Sequence, residues 1–337
     1  MESCIIPKGY RSLLNVRETE VAIKYVKDTF EHTFSKAMGL LRISAPLFVE
    51  KESGLNDNLN GVERPVDFDI KENGASCQIV QSLAKWKRVA LRDYDFHVGK
   101  GLYTEMNAIR RDEDLDNLHS VYVDQWDWEK VIRIEDRNEA YLMKTVQSIV
   151  NAICNTDEKL RHKYEALEAL TPIKRQVTFI TSQELENMYP DLTPKQREHA
   201  FAKEHRTIFI MKIGKALESG KPHDGRAPDY DDWDLNGDLL FWDDVLGISI
   251  EISSMGIRVS PESLDSQLTA AGCDDRRKLP FHKELLEGKL PYTIGGGIGQ
   301  SRLCMLLLGC AHIGEVQSAV WDADTRTACR KAGIDIL

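Results

Sequence analysis

A glycine-rich stretch that runs directly into an apolar segment, at residues 293–308, constrains this chain more than any other feature. Four glycines lie within residues 295–299, so another group can approach the backbone closely. The apolar segment is far too short to span a bilayer and predicts a buried helix. Its first turns carry Arg302, whose buried charge requires an anion, and a helix start itself attracts anions. The stretch therefore fits either a pocket for a phosphate-bearing ligand or a tight turn in which Arg302 pairs with a structural carboxylate.

Charge and cysteine content narrow the classes of protein that fit. The 337 residues carry a net charge of −10, which disfavours a large nucleic-acid footprint because an acidic surface repels phosphates. The seven cysteines are scattered without a C-x-x-C pair, a pattern typical of reduced thiols rather than of a disulfide framework or a zinc site. The amino-terminal residues do not have the layout of a signal peptide. We therefore expect a cytoplasmic protein that neither binds nucleic acid nor enters a membrane.

Apolar residues at helical spacing predict a helix over residues 16–37 that ends near Gly39. It leads into an apolar segment, residues 40–49, which contains Pro46; because proline removes a ladder donor, this predicts a strand at a sheet edge. This helix and the strand after it could form part of a dimer interface, or the strand could be an ordinary peripheral one. Further helices are predicted at residues 139–170 and 194–206, and further strands at residues 77–81, 119–129, 176–181, 207–213 and 247–253. Strands and helices do not alternate strictly, so the pattern favours an α+β fold over a doubly wound one.

Two groups of polar side chains are candidates for a binding site. In one predicted strand, alternation places Gln125 and Asp127 on the same face beside apolar neighbours. A buried amide and carboxylate need partners, which either a ligand's ammonium group or an internal lysine would supply. Lys85 and Lys87 follow Ser82, the predicted cap of a helix, and two positions apart they cannot share a helical face. One lysine could bind a ligand, or both could lie on the surface.

Carboxylates cluster in two later segments. Residues 222–234 form a polar loop rich in aspartate, which fits a flexible acidic surface or a lid over a cationic or metal-loaded ligand. In the last strand predicted above, isoleucines alternate with Ser249, Glu251 and Ser253, whose shared face would meet water or line a cleft. Glu251 could hold Mg²⁺ through oxygen ligands together with Asp238, at the start of the preceding strand.

Three motifs occur in an order that resembles the class II aminoacyl-tRNA synthetases. They are the helix leading to the strand at Pro46, the sequence Arg110-Arg111-Asp112, and the segment 297–302 that opens the apolar helix. Further segments resemble one relative of that class, the ammonia-dependent asparagine synthetases or aspartate–ammonia ligases. These segments are residues 82–88, 118–129, 226–233, 235–238 and 253–258.

The resemblance implies a fold and an activity. The fold is one catalytic domain over residues 1–337, with a central antiparallel β-sheet flanked by helices and neither an anticodon-binding nor a glutaminase domain. The implied assembly is a homodimer. The implied reaction converts aspartate, ATP and ammonia into asparagine, AMP and pyrophosphate, with Mg²⁺ and a β-aspartyl-AMP intermediate.

For ATP, the resemblance places the two signature arginines, Arg110 and Arg302, on the phosphates, which planar guanidinium groups bind bidentately. Asp238 and Glu251 are expected to hold Mg²⁺ on those phosphates. The other positions expected at ATP are His119, Ser120, Val123, Ser253, Gly297 and Gly299.

For aspartate, the resemblance places Lys87 at the carboxylates, with Gln125 and Asp127 near the α-amino group. The positions expected to complete this pocket are Ser82, Ser254 and Arg258. Because ammonium is not nucleophilic, an anionic group should bind it and accept a proton. Asp57, in a polar loop where an aspartate often only makes a turn, is expected in that role, and Asp231 is the second choice.

Two other functions compete with the ligase. The core of an aspartyl- or asparaginyl-tRNA synthetase would need an anticodon-binding domain and an affinity for tRNA that the acidic charge disfavours. A non-catalytic sensor of an amino acid or adenylate would tend to lose the signature arginines and the metal carboxylates, all of which are present. The sequence therefore favours the ligase.

Overall fold

Two β-sheets and the helices packed against them make up the fold in the computed structural model, which describes residues 4–59 and 61–337. The strands are β1 Leu40–Arg42, β2 Phe48–Glu50, β3 Asp67–Asp69, β4 Ser76–Ile79, β5 Gly101–Ile109, β6 Tyr122–Val131, β7 Thr178–Thr181, β8 Thr207–Met211, β9 Asp231–Asp243, β10 Ile248–Arg258 and β11 Thr293–Gly299. The helices are α1 Val16–Met38, α2 Ala84–Asp93, α3 Glu139–Lys163, α4 Ser182–Met188, α5 Pro194–His205, α6 Pro261–Ala270, α7 Pro280–Leu286, α8 Gln300–Leu308 and α9 Ala323–Ala332.

The larger sheet has eight strands in the order β1-β5-β6-β11-β10-β9-β8-β7. Its inner pairings are antiparallel, and a parallel pair closes each edge, β1 with β5 and β7 with β8. The smaller sheet has the order β2-β4-β3. A largely antiparallel sheet flanked by helices confirms the predicted α+β class.

Helix α1 begins and ends where local chemistry dictates. Asn15 accepts a hydrogen bond from the Glu18 backbone, and the Glu18 side chain returns to the Asn15 backbone. The helix ends at Gly39, whose φ of 71° suits glycine. The strand predicted after it is divided, because β1 stops before Pro46 and β2 belongs to the smaller sheet. The prediction of an edge strand is confirmed for β1, and the prediction of one continuous strand is wrong.

The main core fills one face of the larger sheet. Trp126 and Trp128 in β6 are fully buried against Phe30 and Phe34 of α1, with ring centroids 4.7 Å apart for Phe30–Trp126 and 6.0 Å for Phe34–Trp128. Helix α8 is buried along most of its length, as predicted. No helix among the described residues is long and apolar enough to cross a membrane. Because Trp126 and Trp128 face this core, the residues that alternate with them in β6 face the other side of the sheet.

Strand β10 contains a β-bulge that shifts its alternation. Glu251 pairs with Leu240, but the next pair is Ser253 with Leu239, so Ile252 is an extra residue. After the bulge Ser253 is buried on the same side as Met255, and its hydroxyl has no hydrogen-bond partner among the described residues. The prediction that Ser253 shares the polar face of Glu251 is therefore wrong.

Candidate active site

A cleft of about 440 Å³ opens on the sheet face opposite Trp126 and Trp128. It is lined by side chains from β6, β10, β11 and α2 and from the loops above them. The predicted site residues that line it are Asp57, Ser82, Lys87, Arg110, His119, Ser120, Val123, Gln125, Asp127, Asp231, Glu251, Ser254, Arg258, Gly297, Gly299 and Arg302. Two predicted residues do not line it: Ser253, which the bulge turns inward, and Asp238, which lies behind Arg226. Residues from distant parts of the chain thus converge on one cleft.

The glycine-rich stretch forms the floor of this cleft as strand β11. A Cβ atom on Gly295 or Gly297 would lie closer than van der Waals contact to the side chain of Glu129 or Gln125, respectively. A Cβ on Gly296 would meet Met255 of β10. The glycines therefore permit neighbouring side chains to lie directly on the strand backbone. The alternative of a tight turn is wrong, because these residues are extended.

Lys87 is a buried cation of the cleft. Its ammonium group donates to Asp127 and, at 3.1 Å, to the Gly296 carbonyl, and lies 4.0 Å from Glu129. Burial lowers the pKa of Lys87, although Asp127 and Glu129 oppose that shift. Of the two partners that the sequence left open for Asp127, the structure shows the internal lysine.

An alternating series of charges runs from β6 to β9. Arg258 donates to Glu129 from Nε at 3.0 Å and from Nη2 at 2.8 Å, and its Nη1 donates to Asp231. Arg226 lies between Asp231, 3.9 Å away, and Asp238, to which it donates at 2.6 Å. Burial raises the pKa of Glu129, but the stronger combined effect of Arg258 and Lys87 holds it below its usual value. These five side chains form a continuous series of buried ion pairs.

Asp238 and Glu251 fit a divalent cation. Burial raises the pKa of Asp238 to about 7; Arg226 opposes this shift, and the negative charge of Glu251 adds to it. The two carboxylates offer only oxygen donors, the ligands that Mg²⁺ prefers. The residues present therefore suit that ion. The structure places Asp238 inside β9 rather than at the start of a strand.

Asp57 lies inside the cleft rather than at an exposed loop tip. It is 2% exposed, accepts from the Ser82 hydroxyl at 2.8 Å and accepts from the Leu59 amide at 2.8 Å. The Ser82 oxygen also accepts from the Ala84 amide at 3.4 Å, but Leu83 is the N-cap residue of α2 and no side chain caps the helix, so the predicted capping role of Ser82 is wrong. Among the described residues Asp57 forms no ion pair, whereas Asp231 has two arginine neighbours.

Arg110 and Arg302 bring cationic groups to the cleft with little carboxylate compensation. Arg302 donates to two backbone carbonyls, Glu251 at 3.1 Å and Leu118 at 3.4 Å. Arg110 has Glu113 4.0 Å away, and its Nε is buried without a hydrogen-bond partner in the described part of the chain. Pairing of Arg302 with a structural carboxylate, the alternative weighed from the sequence, is not found among the described residues. Both guanidinium groups are available to an anion.

Comparison with known proteins identifies the family. The family model described as aspartate–ammonia ligase matches residues 17–333. The chain is 59% identical to the aspartate–ammonia ligase of Clostridium tetani, over 100% of this chain and 98% of that protein. It is equally similar to the enzyme of Lactobacillus acidophilus, at 59% identity over 99% of both chains.

The chain belongs to the aspartate–ammonia ligase family.

Solved structures similar to this member of the ligase family are class II synthetases. Asparaginyl-tRNA synthetase from Entamoeba histolytica, in complex with asparaginyl-adenylate, superposes with a TM-score of 0.65 at 15% identity. The match covers 90% of this chain and 66% of that one. Asparaginyl-tRNA synthetase from Pyrococcus horikoshii, complexed with asparaginyl-adenylate, superposes with a TM-score of 0.64 at 15% identity. That match covers 89% of this chain and 68% of the synthetase. At this identity the likeness establishes the fold, as the signature motifs predicted.

The segment at residues 222–234 of this ligase-family chain contradicts the prediction of a flexible acidic surface. Asp229 is 1% exposed and accepts from Lys85 at 3.3 Å, Arg276 at 3.0 Å and His282 Nε2 at 2.9 Å. Lys85 is therefore buried, which rules out the alternative of two surface lysines. Long-range ion pairs, which local composition does not reveal, hold the segment against the cleft.

Two charged residues of this site were missed by the sequence analysis. Glu129 continues the alternation of Gln125 and Asp127 in β6, so extending that pattern by two positions would have found it. Arg226 lies in one of the segments that resemble the ligases but received no role there. Its place between Asp231 and Asp238 depends on contacts that sequence spacing does not show.

The described cysteines are free thiols, as predicted. Cys4 and Cys329 have their sulfurs 4.0 Å apart, and His312 lies beside them. The Gly314 amide donates to His312 Nδ1 at 3.0 Å, which leaves the proton of the neutral ring on Nε2. Neither ring nitrogen then offers a free lone pair, so we do not interpret this cluster as a metal site.

Replacing Arg258 by Met should destabilise the fold strongly. Glu129 and Asp231 would lose their shared cation inside the protein, and breaking a buried pair costs about 3–5 kcal/mol. Urea denaturation followed by circular dichroism at pH 7 measures the free energy of unfolding. The matched control is Arg133→Met, which removes an exposed pair with Asp136 and should leave the unfolding midpoint unchanged. Equal midpoints for the two variants would contradict the stabilising role of Arg258.

Proposed function

We propose that this chain catalyses the ATP-dependent amidation of L-aspartate by ammonia, forming L-asparagine, AMP and pyrophosphate. The observation that carries the proposal is the convergence, in one cleft of a member of the ligase family, of two guanidinium groups available to an anion with a buried lysine–aspartate pair. The first pair suits a triphosphate, and the second suits a zwitterionic amino acid.

In the first half-reaction, a carboxylate oxygen of the aspartate side chain attacks the α-phosphorus, pyrophosphate leaves, and β-aspartyl-AMP forms. Attack of one anion on another requires positive charge at the phosphate. Arg110 and Arg302 supply it through planar guanidinium groups that bind phosphate oxygens bidentately. Their positions on one cleft, with Arg302 held by backbone carbonyls, orient that charge before ATP arrives.

Mg²⁺ would be held by Asp238 and Glu251, where it would neutralise phosphate charge. His119, Ser120, Val123, Gly297 and Gly299 would contact ATP from the cleft wall and floor. Ser253 is omitted from this set because it faces away from the cleft.

The aspartate substrate brings one ammonium and two carboxylate groups. Its ammonium group would meet Asp127 and Gln125, and its carboxylates would meet Lys87, with Arg258, Ser82 and Ser254 completing the pocket. The Lys87–Asp127 pair lies at the centre of this arrangement, so the free protein already holds opposite charges where the substrate would place its own. Such preorganisation reduces the cost of binding.

In the second half-reaction, neutral ammonia attacks the activated acyl carbon, AMP leaves, and one proton must be removed from nitrogen. Asp57 is the proposed acceptor, because it lies in the cleft without an ion-pair partner among the described residues. Asp231 is a weaker candidate, since Arg258 and Arg226 already compensate its charge.

The assembly and location that we propose follow the family resemblance. The protein would act as a homodimer of one-domain subunits in the cytoplasm, without binding tRNA. Analytical ultracentrifugation tests the dimer, and filter binding at low salt tests for tRNA.

The decisive experiment measures AMP and asparagine from ATP and aspartate, with and without ammonium. We expect stoichiometric AMP and asparagine that depend on both aspartate and ammonium, and their loss when a chelator removes Mg²⁺. Asparagine formation that fails with ammonium present, or transfer of the amino acid to tRNA, would contradict the proposed function.

A further inference from the structure

One wall of the cleft carries apolar side chains next to a buried amide oxygen. Leu118 and Ile313 line it side by side, because the Ile313 amide donates to the carbonyl of Asn117 at 2.8 Å. Gln317 lines the same wall and is 4% exposed. Its amide oxygen Oε1 is buried and has no hydrogen-bond partner among the described residues. A buried acceptor without a donor is costly and indicates either a structural defect or a ligand position.

The orientation of the Gln317 amide is fixed by its neighbours. Its Nε2 donates to Asp124 Oδ1 at 3.2 Å and to the Ser301 hydroxyl oxygen at 3.2 Å. Both groups can only accept there, since Asp124 is a carboxylate and the Ser301 hydroxyl proton is donated to Asp124 Oδ2 at 2.8 Å. Both amide protons are thus used. A flipped amide would place an oxygen against two acceptors, so Oε1 must be the atom that remains free.

Asp124 itself is saturated and cannot compete for a ligand. Its Oδ1 accepts from the Ser301 amide at 3.1 Å as well as from Gln317, and its Oδ2 accepts from Lys27 at 3.1 Å and from the Ser301 hydroxyl. The network anchors the free oxygen of Gln317 to helices α1 and α8 and to strand β6. An acceptor held this rigidly distinguishes a donor from an acceptor on a ligand.

Two other polar atoms of this wall have partners of their own. The Ser120 hydroxyl accepts from the Tyr122 amide at 3.1 Å, and His119 Nδ1 lies 2.9 Å from Asp116. The Leu118 carbonyl accepts from Arg302, which also reaches the Glu251 carbonyl. This wall therefore lies next to the arginine proposed for the phosphates and offers apolar surface beside a buried acceptor, which suits a flat base carrying an amino group.

We propose that Gln317 Oε1 accepts a hydrogen bond from the 6-amino group of adenine and thereby selects ATP over nucleotides with another group at that position. This inference deepens the proposed function, on which it rests for the identity of the nucleotide. Guanine would set its O6 acceptor against the oxygen of Gln317. Purine riboside triphosphate, which lacks the amino group, would leave that oxygen unpaired.

Equilibrium binding of nucleotides to the full chain tests the proposal. With the unmodified protein, purine riboside triphosphate should bind about 10- to 100-fold more weakly than ATP, the effect of leaving one buried acceptor without its donor. The Gln317→Met variant should bind ATP more weakly by a similar factor, while its affinity for purine riboside triphosphate should change little. The ratio of the two dissociation constants should therefore approach one. If Gln317 had only a structural role, the substitution would weaken the binding of both nucleotides equally and leave the ratio of their dissociation constants unchanged.

Gln147→Met is the matched control. Gln147 lies on α3 outside the cleft, where its Nε2 donates to the Arg175 carbonyl at 2.7 Å, so the ratio should remain that of the unmodified protein. Equal affinity of the unmodified protein for ATP and purine riboside triphosphate would overturn the proposal without any variant, as would a Gln317→Met protein that keeps the full ratio. Failure of asparagine formation, by contrast, would count against the proposed reaction while the nucleotide ratio still reports on Gln317.

Discussion

Replacing Arg302 by Ala is expected to lower aspartate-dependent exchange of pyrophosphate into ATP by about 10³-fold, the size of effect that cationic groups at transferring phosphoryl groups produce. Arg302 lines the cleft and its described hydrogen bonds are to the backbone carbonyls of Leu118 and Glu251, so no buried carboxylate would be left uncompensated by its removal. The unfolding midpoint should therefore change little. Exchange of labelled pyrophosphate measures the first half-reaction alone, without ammonia.

Two further variants separate charge from geometry. Arg302→Lys keeps the positive charge but loses the planar fork, and we expect it to recover only part of the exchange rate. Arg326→Ala removes a guanidinium group whose Nε donates to the Trp321 carbonyl at 3.1 Å, outside the cleft, and should exchange at the unmodified rate. Unchanged exchange in Arg302→Ala would remove Arg302 from the phosphate site.

Replacing Asp57 by Asn is expected to separate the two halves of the reaction. Asparagine formation should fall by about 10²- to 10³-fold, the typical contribution of a general base, while pyrophosphate exchange stays close to normal. Asn keeps an oxygen for the Leu59 amide and an amide group beside the Ser82 hydroxyl, so the loop can retain its hydrogen bonds. Rapid-quench measurement of asparagine from preformed enzyme-bound adenylate isolates the ammonia step.

The control for this variant is Asp69→Asn, an exposed aspartate of β3 that does not line the cleft and should leave both half-reactions unchanged. If Asp57→Asn formed asparagine at the normal rate while still binding aspartate, the proton acceptor would have to be another group. Equal losses of exchange and asparagine formation would instead indicate that Asp57 positions the substrate.

Local signals predicted the elements whose ends and faces are set by neighbouring residues. The helix α1 was predicted correctly because apolar spacing and Gly39 act within a few residues of the chain. The two faces of β6 were predicted correctly as well, with Gln125 and Asp127 opposite Trp126 and Trp128, because this strand has no interruption. The site residues predicted from the family resemblance converged on one cleft, except Ser253 and Asp238.

The features that could not be predicted from the sequence depend on contacts between distant segments. Asp229 is inside the protein because Lys85, Arg276 and His282 surround it, and these partners are 47 to 144 positions away. Nothing in the polar composition of residues 222–234 distinguishes such a segment from an exposed loop. Likewise, the free oxygen of Gln317 is evident only once Asp124 and Ser301 are seen to occupy both of its amide protons.

The bulge in β10 has a consequence for how this strand can vary. Before Ile252, Ser249 contacts His199 of α5; after it, Ser254 and Arg258 line the cleft. Deleting Ile252 would turn every later side chain of β10 to the opposite face of the sheet. Met255 would then face the cleft, and the guanidinium group of Arg258 would face the apolar core. The strand should thus accept many exchanges of one side chain for another but very few changes in its length.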